Sequence, residues 1–300
     1  MSAPRALVTG STGFVGTHLV RHLTTRGWAV TRLLRDGLES DEPAGIAGVS
    51  DEWWDGSTDA ALAAVGRARP EVVVHLASLF VAEHGAADLR PLIESNVLAG
   101  AQVAEAMLRA GCRRLVNTGT SWQRDASGAY EPVCLYAATK QAFEDLLAYY
   151  VSVEGFAVVT LSLFDTYGPG DRRPKLFAAL DAALADGRPL KMSPGEQLLD
   201  LVHVSDVARA FEVAAAGLLV DGARRSERYD VSSGRPVALR DVVALYGQGV
   251  GRPVPVQWGG RPYRRREVMA PPVGRTLPGW RATIGLDEGL AALGRERHAC

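Results

Sequence analysis

Lysine is almost absent from this 300-residue chain. Only three lysines occur, at positions 140, 175 and 191, and the other thirty of the 33 basic residues are arginine. A residue type that the chain otherwise avoids needs a local reason where it does occur. Lys140 follows Tyr136 by four residues in CLYAATKQAF, a spacing that puts both side chains on one face of a helix.

Cysteine and long apolar runs are also scarce. Cys112, Cys134 and Cys300 are scattered and lack the spacing of a metal site, so we expect free thiols, without disulfides or a metal. No stretch approaches the ~18 consecutive apolar residues of a membrane span, and the N-terminal residues do not show a signal-peptide pattern. We therefore expect a cytoplasmic protein that does not contact the membrane.

Neither sign of charge predominates. The formal net charge of −1 gives no electrostatic reason to expect nucleic acid or an anionic membrane as a partner. A hydrophobic content of 47% over this length is enough for a full core, in one large domain or two smaller ones.

Short apolar runs alternate with longer helical patterns in the first half of the chain. We count six candidate strands before residue 165, among them RALVTG, AVTRLL, EVVVHLAS, RRLVNTG and AVVTLSLF. This alternation predicts an α/β fold with a parallel sheet and crossover helices. Beyond Gly168, segments rich in glycine and proline predict a smaller lobe. We expect a first domain over 1–166 and a lobe over 167–300, with about 200–233 a candidate for returning to the first domain.

The stretch ALVTGSTGFVGTHLVRHL places Gly10, Gly13 and Gly16 between the first strand and an apolar-periodic helix. Glycines there permit a tight turn, close approach of the backbone to a pyrophosphate, and close packing of helix on sheet. At this position the triplet predicts a Rossmann-like, doubly wound dinucleotide-binding sheet, although turn glycines alone are the alternative. The same loop offers further cofactor contacts from Thr12, Phe14 and Val15.

The end of the second strand bears on which nicotinamide cofactor is bound. A carboxylate there suits the ribose 2′-hydroxyl of NAD, whereas a cation suits the 2′-phosphate of NADP. Arg35 and Asp36 compete for this position in GWAVTRLLRDG. Because the strand most naturally ends at Leu33 and Leu34, Arg35 falls at the turn and favours NADP(H) over NAD(H). The alternative is that Arg35 is a solvated turn residue.

The Tyr136–Lys140 pair fits acid/base chemistry. A free phenol titrates near pH ~10, and a neighbouring ammonium favours its ionised form. The alternative is an ordinary tyrosine on a helix face, with a lysine snorkelling past it one turn later.

Several motifs occur in an order that resembles the extended short-chain dehydrogenase/reductases. These are the glycine loop, HLA at 75–77, Asn96, NTGTS at 117–121 and YAATK, and the resemblance covers nearly the whole chain. It implies that Thr120, Tyr136 and Lys140 are catalytic, with Thr118 in place of Thr120 if the strand ends earlier.

In the family mechanism, Tyr136 would donate a proton to the carbonyl oxygen that receives negative charge during hydride transfer. Thr120 would hydrogen-bond the same oxygen. Lys140 would hold the nicotinamide ribose and lower the pKa of Tyr136.

The resemblance also implies further cofactor contacts. Asn96 either orders the active-site helix or caps and turns the chain, and His75 is more simply a strand-end histidine than a catalyst. The implied contacts are Asp55 and Gly56 near the adenine, and Leu76, Ala77, Ser78 and Asn96 along the cleft.

Within that family, LFDTYGPGDRRPKL, FVAEH and CLYAATKQAFEDLL resemble enzymes acting on 4-keto-6-deoxy sugars linked to CDP or dTDP. Two departures matter. Leu199 stands where many relatives have a diphosphate-binding arginine, so that the arginines of 261–266 are either a replacement or a solvated loop. Ser121 and Trp122 stand where dehydratases have Asp-Glu, which argues against a 4,6-dehydratase. The expected substrate contacts are His84, Ser121, Trp122, Asp165, Arg172, Lys175, Arg261, Arg264 and Arg266.

These features together predict an NADPH-dependent C4-ketoreductase of a nucleotide-linked sugar. A 4-epimerase and a non-catalytic NADP-sensing protein are the alternatives. The resemblance also implies a homodimer, in which the Tyr136 helix and a helix over about 91–110 pair across a two-fold axis. Small residues on the latter would allow close packing, although burial within one chain explains them equally well. They are Ala99, Ala101, Ala104 and Ala106.

Overall fold

The structure of the chain is a computed structural model that describes residues 2–37, 47–221 and 223–298. Strands and helices alternate in its first part. A π-helical turn, Glu94–Leu98, joins the third helix to the fourth, and a 3₁₀ turn, Ser121–Gln123, follows the fifth strand. The elements are β1 (Arg5–Thr9), α1 (Phe14–Thr25), β2 (Ala29–Arg35), β3 (Val49–Trp54), α2 (Thr58–Ala68), β4 (Val72–His75), α3 (Leu89–Ile93), α4 (Ala99–Arg109), β5 (Arg114–Thr120), α5 (Leu135–Ser152) and β6 (Ala157–Leu163).

Shorter strands separate the helices of the second part. Its elements are β7 (Asp165–Tyr167), α6 (Leu176–Asp186), β8 (Leu190–Lys191), β9 (Leu198–Leu199), β10 (Leu201–His203), α7 (Val204–Val220), β11 (Arg225–Val231), β12 (Val237–Ala238), α8 (Leu239–Val250), β13 (Val256–Gln257) and α9 (Leu286–His298).

A parallel sheet of seven strands, within the described ranges, runs in the order β3-β2-β1-β4-β5-β6-β11. Six of its strands precede residue 165, as the sequence predicts. The strand order reverses between β1 and β4, which is the point where open α/β sheets bind ligands beyond the carboxyl ends of their strands. The predicted α/β class with a doubly wound sheet is confirmed.

Helices cover both faces of this sheet because alternate strand residues point to opposite sides. Val8 and Leu19 belong to the core shared with α1 and α7, whereas Leu7 and Phe143 belong to the core shared with α2, α4 and α5. Although α7 and β11 follow residue 200, α7 packs against α1 and β11 pairs with β6.

A third core joins α6, α8 and α9 around Tyr167, Phe177 and Tyr246. Three two-stranded pairings accompany it: β7 with β10, β8 with β13, and β9 with β12. Within the described ranges, no helix has both the length and the apolar character that a membrane crossing requires.

Charged residues mark both edges of the main sheet. On edge strand β3, Asp51 accepts hydrogen bonds of 2.6 and 2.7 Å from the buried Arg32 of β2. On edge strand β11, Arg225 pairs with Glu227 at 3.2 Å. The outermost strand on each side of the sheet therefore contributes to an ion pair.

Buried Asp206 ties α7 to the segment before α9. Its carboxylate accepts hydrogen bonds from the Thr283 N–H and hydroxyl, both at 2.8 Å, and from the Ile284 N–H at 2.9 Å. The Trp280 indole donates to the Asp206 carbonyl at 2.9 Å, and Arg209 donates to the carboxylate at 2.6 Å. Asp206 therefore fastens the segment before α9 to α7.

We predict that Asp206→Ala lowers the free energy of unfolding by about 3 kcal/mol, because buried donors lose a charged acceptor. Asp221→Ala is the control, since that carboxylate is exposed in its pair with Arg225 and its loss should cost less than about 1 kcal/mol. Chemical denaturation of both variants measures the difference, and equal losses would contradict the prediction.

Candidate functional site

The loop between β1 and α1 is packed too closely to accept side chains. A Cβ on Gly16 would lie 2.1 Å from the Gly10 carbonyl oxygen, and a Cβ on Gly10 would lie 2.6 Å from the Ala77 nitrogen. Gly10 also has a φ of +67°, which glycine adopts without strain. The loop therefore lies against the chain leaving β4 and leads directly into the first turn of α1.

A cleft of about 280 Å³ opens above this loop at the carboxyl ends of β1, β2 and β4. Seven residues predicted to bind the cofactor line it: Gly10, Thr12, Gly13, Arg35, Leu76, Ala77 and Ser78. Others that the sequence analysis did not select are Ser11, Leu33, Leu34, Trp54, Ser95 and Ala99. The Ser11 Oγ is buried without a hydrogen-bond partner in the described part of the chain. The cradle, the cleft and this unpartnered oxygen fit a dinucleotide whose pyrophosphate lies at the start of α1.

Arg35 lies at one end of this cleft. Its guanidinium carbon is 5.8 Å from the centroid of the Trp54 ring, and its Nη2 is 3.6 Å from the position of a Cβ on Gly56. Asp36 is exposed, and its N–H donates to the Trp54 carbonyl. Asp55 accepts a 2.7 Å hydrogen bond from the Ser57 N–H, which lowers the pKa of the Asp55 carboxyl.

Tyr136 and Lys140 lie on the buried face of α5, one turn apart. Their exposed fractions are 8% and 1%. Ser78, at the cleft, lies close enough to the Tyr136 phenol to lower its pKa, against the larger effect of burial. This contact joins the predicted acid to the cofactor cleft.

Burial determines the protonation of these groups. It raises the pKa of Tyr136 to about 12, so the phenol carries its proton at neutral pH. It lowers the pKa of Lys140 to about 8, against the opposing charge of Glu144. Burial and the nearby Lys140 lower the pKa of His75 to about 3, so that this histidine is neutral.

Thr120 is the last residue of β5, and its Oγ1 accepts a 3.3 Å hydrogen bond from the Trp122 N–H. The Thr118 hydroxyl donates to the His75 carbonyl at 2.7 Å. Because Thr118 is engaged beneath the strand ends, this arrangement favours Thr120 over Thr118 as the hydroxyl available to a substrate.

Asn96 lies in the π-helical turn and orders two neighbouring segments. Its Oδ1 accepts from the Leu79 N–H at 2.7 Å, and its Nδ2 donates to the Leu79 carbonyl at 2.9 Å and to the Thr139 hydroxyl at 3.0 Å. The side chain thus ties α5 to the loop after β4, which matches the ordering role among the two that the sequence left open.

Aromatic rings and cations surround the outer side of Tyr136. The Phe80 ring lies edge-on to Tyr136 with 5.0 Å between centroids, and 5.6 Å from the Trp122 ring. Lys175 Nζ is 4.5 Å from the Phe80 centroid, and the Arg264 guanidinium is 6.0 Å from that of Trp122. Burial raises the pKa of nearby Asp165, and Lys175, Arg173 and Arg264 oppose the rise.

Other predicted substrate residues lie differently. Arg266 pairs with Glu131 at 2.6 Å, and the Arg261 N–H donates to the Met192 carbonyl. Both arginines are exposed, as are His84 and Arg172. Ser121 is buried beside Trp122. Of the arginines at 261–266, Arg264 is the one whose contacts reach the Tyr136 region.

Arg173, which the sequence analysis did not select, lies over the glycine loop. Its guanidinium carbon is 4.4 Å from the Phe14 centroid, and Asp171 holds it with two 2.7 Å hydrogen bonds. A ring nitrogen of His18, one turn into α1, lies 2.9 Å from the Pro169 carbonyl oxygen. Sequence could suggest an arginine in GDRRPK, but not which of the two would point inward.

A sequence model described as the NAD dependent epimerase/dehydratase family matches residues 6–222. The chain belongs to this family. It is thereby an extended short-chain dehydrogenase/reductase, as predicted, and the family depends on a nicotinamide dinucleotide.

Several relatives are named for activities on nucleotide-linked sugars. The chain is 26% identical over 268 residues to a CDP-abequose synthase of Yersinia pseudotuberculosis, covering 89% of this chain and 91% of the relative. It is 28% identical over 310 residues to a UDP-glucose 4-epimerase of Mycolicibacterium smegmatis, covering 96% of each. The structure of a Thermus thermophilus UDP-glucose 4-epimerase in complex with NAD matches with a TM-score of 0.81 and 26% identity, covering 99% of both chains.

Proposed function

We propose that this enzyme reduces the 4-keto group of a 6-deoxyhexose linked to CDP or dTDP, with NADPH as the reductant. The observation that carries the proposal is the buried Tyr136–Lys140 pair, whose phenol lies beside Ser78 at the dinucleotide cleft. Relatives named as a CDP-abequose synthase and a UDP-glucose 4-epimerase support a nucleotide-linked sugar as the substrate class.

The bound cofactor supplies a hydride, and the chain supplies the proton and the positioning. Tyr136 is protonated at neutral pH and donates its proton to the carbonyl oxygen, so that the ketone becomes a hydroxyl. Thr120 donates a hydrogen bond to the same oxygen as negative charge develops there. Lys140 binds the nicotinamide ribose, and its ammonium favours the phenolate that remains.

The surroundings of Tyr136 suit a deoxygenated sugar carrying a diphosphate. The Phe80 and Trp122 rings offer an apolar surface to the C6 methyl group, while Lys175 and Arg264 offer cations to the diphosphate. We expect Asp165, which is close to Lys175 and Arg264, to accept a hydrogen bond from a sugar hydroxyl. His84, Ser121, Arg172, Arg261 and Arg266 stay predictions.

Arg35 supports net reduction over epimerisation. An epimerase keeps its cofactor through oxidation and re-reduction, whereas a reductase exchanges NADP for NADPH at each turnover. A cation at the 2′-position suits NADPH, while the Thermus thermophilus epimerase structure contains NAD. The 4-epimerase is therefore the second candidate, supported by the relatives of that name.

The proposal predicts that CDP- or dTDP-4-keto-6-deoxyglucose consumes NADPH stoichiometrically, measured at the nicotinamide absorbance band. Tyr136→Phe should abolish this consumption and leave NADPH affinity nearly unchanged, because the phenol donates the proton without being needed to bind the cofactor. Conversion of an ordinary nucleotide sugar without net cofactor change would instead indicate the epimerase. Full activity of Tyr136→Phe would refute the assigned acid.

A second prediction concerns Arg35. Arg35→Ala should weaken NADPH binding by about ten- to a hundredfold and NADH binding much less, because only NADPH carries the 2′-phosphate. Titration calorimetry with both cofactors measures the difference, and Arg69→Ala is a matched control outside the cleft. Equal losses for NADPH and NADH would show that Arg35 does not recognise the 2′-position.

We also propose a homodimer that forms through α3, α4 and α5. The alanines on the helix over about 91–110 do not support it, because they are explained within one chain. Ala99, Ala104 and Ala106 are buried within the chain, as the intramolecular alternative held. Exposed apolar side chains instead lie on α3, on the π-helical turn before α4, and on or just after α5, and they are Leu89, Ile93, Leu98, Leu146, Tyr149 and Val153.

Light scattering should therefore give twice the monomer mass for the unmodified protein and the monomer mass for Leu146→Glu, because a charge would be buried at the interface. Val220→Glu, on an exposed apolar residue of α7, should stay dimeric. A monomeric unmodified protein at micromolar concentration would remove the proposal.

A further inference from the structure

A glutamate continues the spacing of the Tyr136–Lys140 pair along α5. Glu144 follows Lys140 by four residues, so the three side chains lie on one face of the helix. Only 13% of the Glu144 side chain is exposed. The proposed reaction uses Tyr136 and Lys140 but gives no role to this carboxylate.

Glu144 contacts the turn that carries Thr120. Its Oε1 accepts a 2.7 Å hydrogen bond from the Gln123 Nε2, and the fully buried Gln123 accepts a 2.9 Å hydrogen bond from the Thr120 N–H. A Cβ on Gly119 would lie 3.4 Å from the Glu144 Oε1 and 3.0 Å from the Gln123 Oε1. The carboxylate is therefore two hydrogen bonds away from Thr120.

A polar row crosses the sheet beneath this face of α5. Register pairs Thr9 with His75, His75 with Asn117, Asn117 with Thr160, and Thr160 with Arg228. Arg228, at the end of the row, donates hydrogen bonds to Glu144 and to Gln141. His75 is neutral, and its Nδ1 lies 2.9 Å from the Thr9 hydroxyl oxygen.

The groups that face Lys140 and Glu144 have defined charges. His75 on β4 faces Lys140 without a charge, and Tyr136 on the same helix is protonated. Glu144 is the charged group that favours the Lys140 ammonium in the described part of the chain. Glu144 in turn is faced by Arg228 from β11.

We propose that Glu144 is a positioning residue that keeps Lys140 protonated and, through Gln123, holds the backbone of Thr120 in place. One partly buried carboxylate thus serves two of the three proposed catalytic positions. The proposal rests on the proposed function for the roles of Lys140 and Thr120, but its physical content is independent of the substrate.

Two opposing influences act on the pKa of Lys140. Burial favours the neutral amine and lowers the Lys140 pKa to about 8, and the negative charge of Glu144 opposes that fall. Removing the charge should lower the pKa further. Lys140 would then lose its proton closer to neutral pH, and activity would decline there on the alkaline side.

The scarcity of lysine makes a direct test possible. Lysine labelled at Cε gives signals from three residues in NMR, and Lys175→Arg and Lys191→Arg assign them by removing one signal each. In Glu144→Gln, which keeps an oxygen to accept from Gln123, the Lys140 titration midpoint should fall by about one pH unit. The midpoints of Lys175 and Lys191 should not move.

Glu105→Gln is the matched control, since Glu105 pairs with Arg109 on α4 away from the site, and it should shift none of the three midpoints. Because Arg228 loses its charged partner in Glu144→Gln, the double variant with Arg228→Gln guards against misfolding and should show the same fall of the Lys140 midpoint. An unchanged Lys140 midpoint in either folded variant would overturn the protonation role.

Hydrogen exchange tests the link to Thr120. Gln123→Met removes the acceptor of the Thr120 N–H and should accelerate exchange of that amide at least about tenfold, while leaving the Lys140 midpoint in place. Unchanged exchange would overturn the positioning of Thr120. Neither measurement needs a substrate, so a failed substrate assay and a failed role for Glu144 are distinguishable.

Discussion

The close approach of α1 to β1 is the constraint on which the site depends. With 2.1 Å between a Cβ on Gly16 and the Gly10 carbonyl oxygen, no other residue fits at position 16 without moving the helix. This packing brings the positive end of the α1 dipole to the strand-order reversal between β1 and β4. The cleft, and the direction from which a cofactor reaches Tyr136, follow from that placement.

Parallel register then assembles the proposed catalytic groups. β1, β4 and β5 all end at one edge of the sheet, so the chain leaving β4 supplies Ser78, the end of β5 supplies Thr120, and α5, which packs on β5, supplies Tyr136. Beneath these groups the side chains are polar, as at Asn117 and Thr160. The residues two positions earlier in the same strands belong to the apolar core. The sheet is thus apolar where it carries the core and polar where it supports chemistry.

Features encoded by local spacing could be predicted from the sequence. The glycine loop and the Tyr136–Lys140 pair each lie within one turn or one helix, so their geometry follows from sequence separation. Contacts between distant segments could not be predicted this way. Arg173 over Phe14 joins residues far apart in the chain, and Ala104 shows that small residues on a helix do not reveal which neighbour they face.

The ion pairs at the two sheet edges have a consequence for assembly. A strand from another molecule that paired with β3 or β11 would come to lie beside Asp51 or beside Arg225 and Glu227, and these groups would lose contact with water. Growth of the sheet by edge-to-edge addition is therefore disfavoured on both sides. At high concentration, the chain should resist fibrillar aggregation through its native sheet.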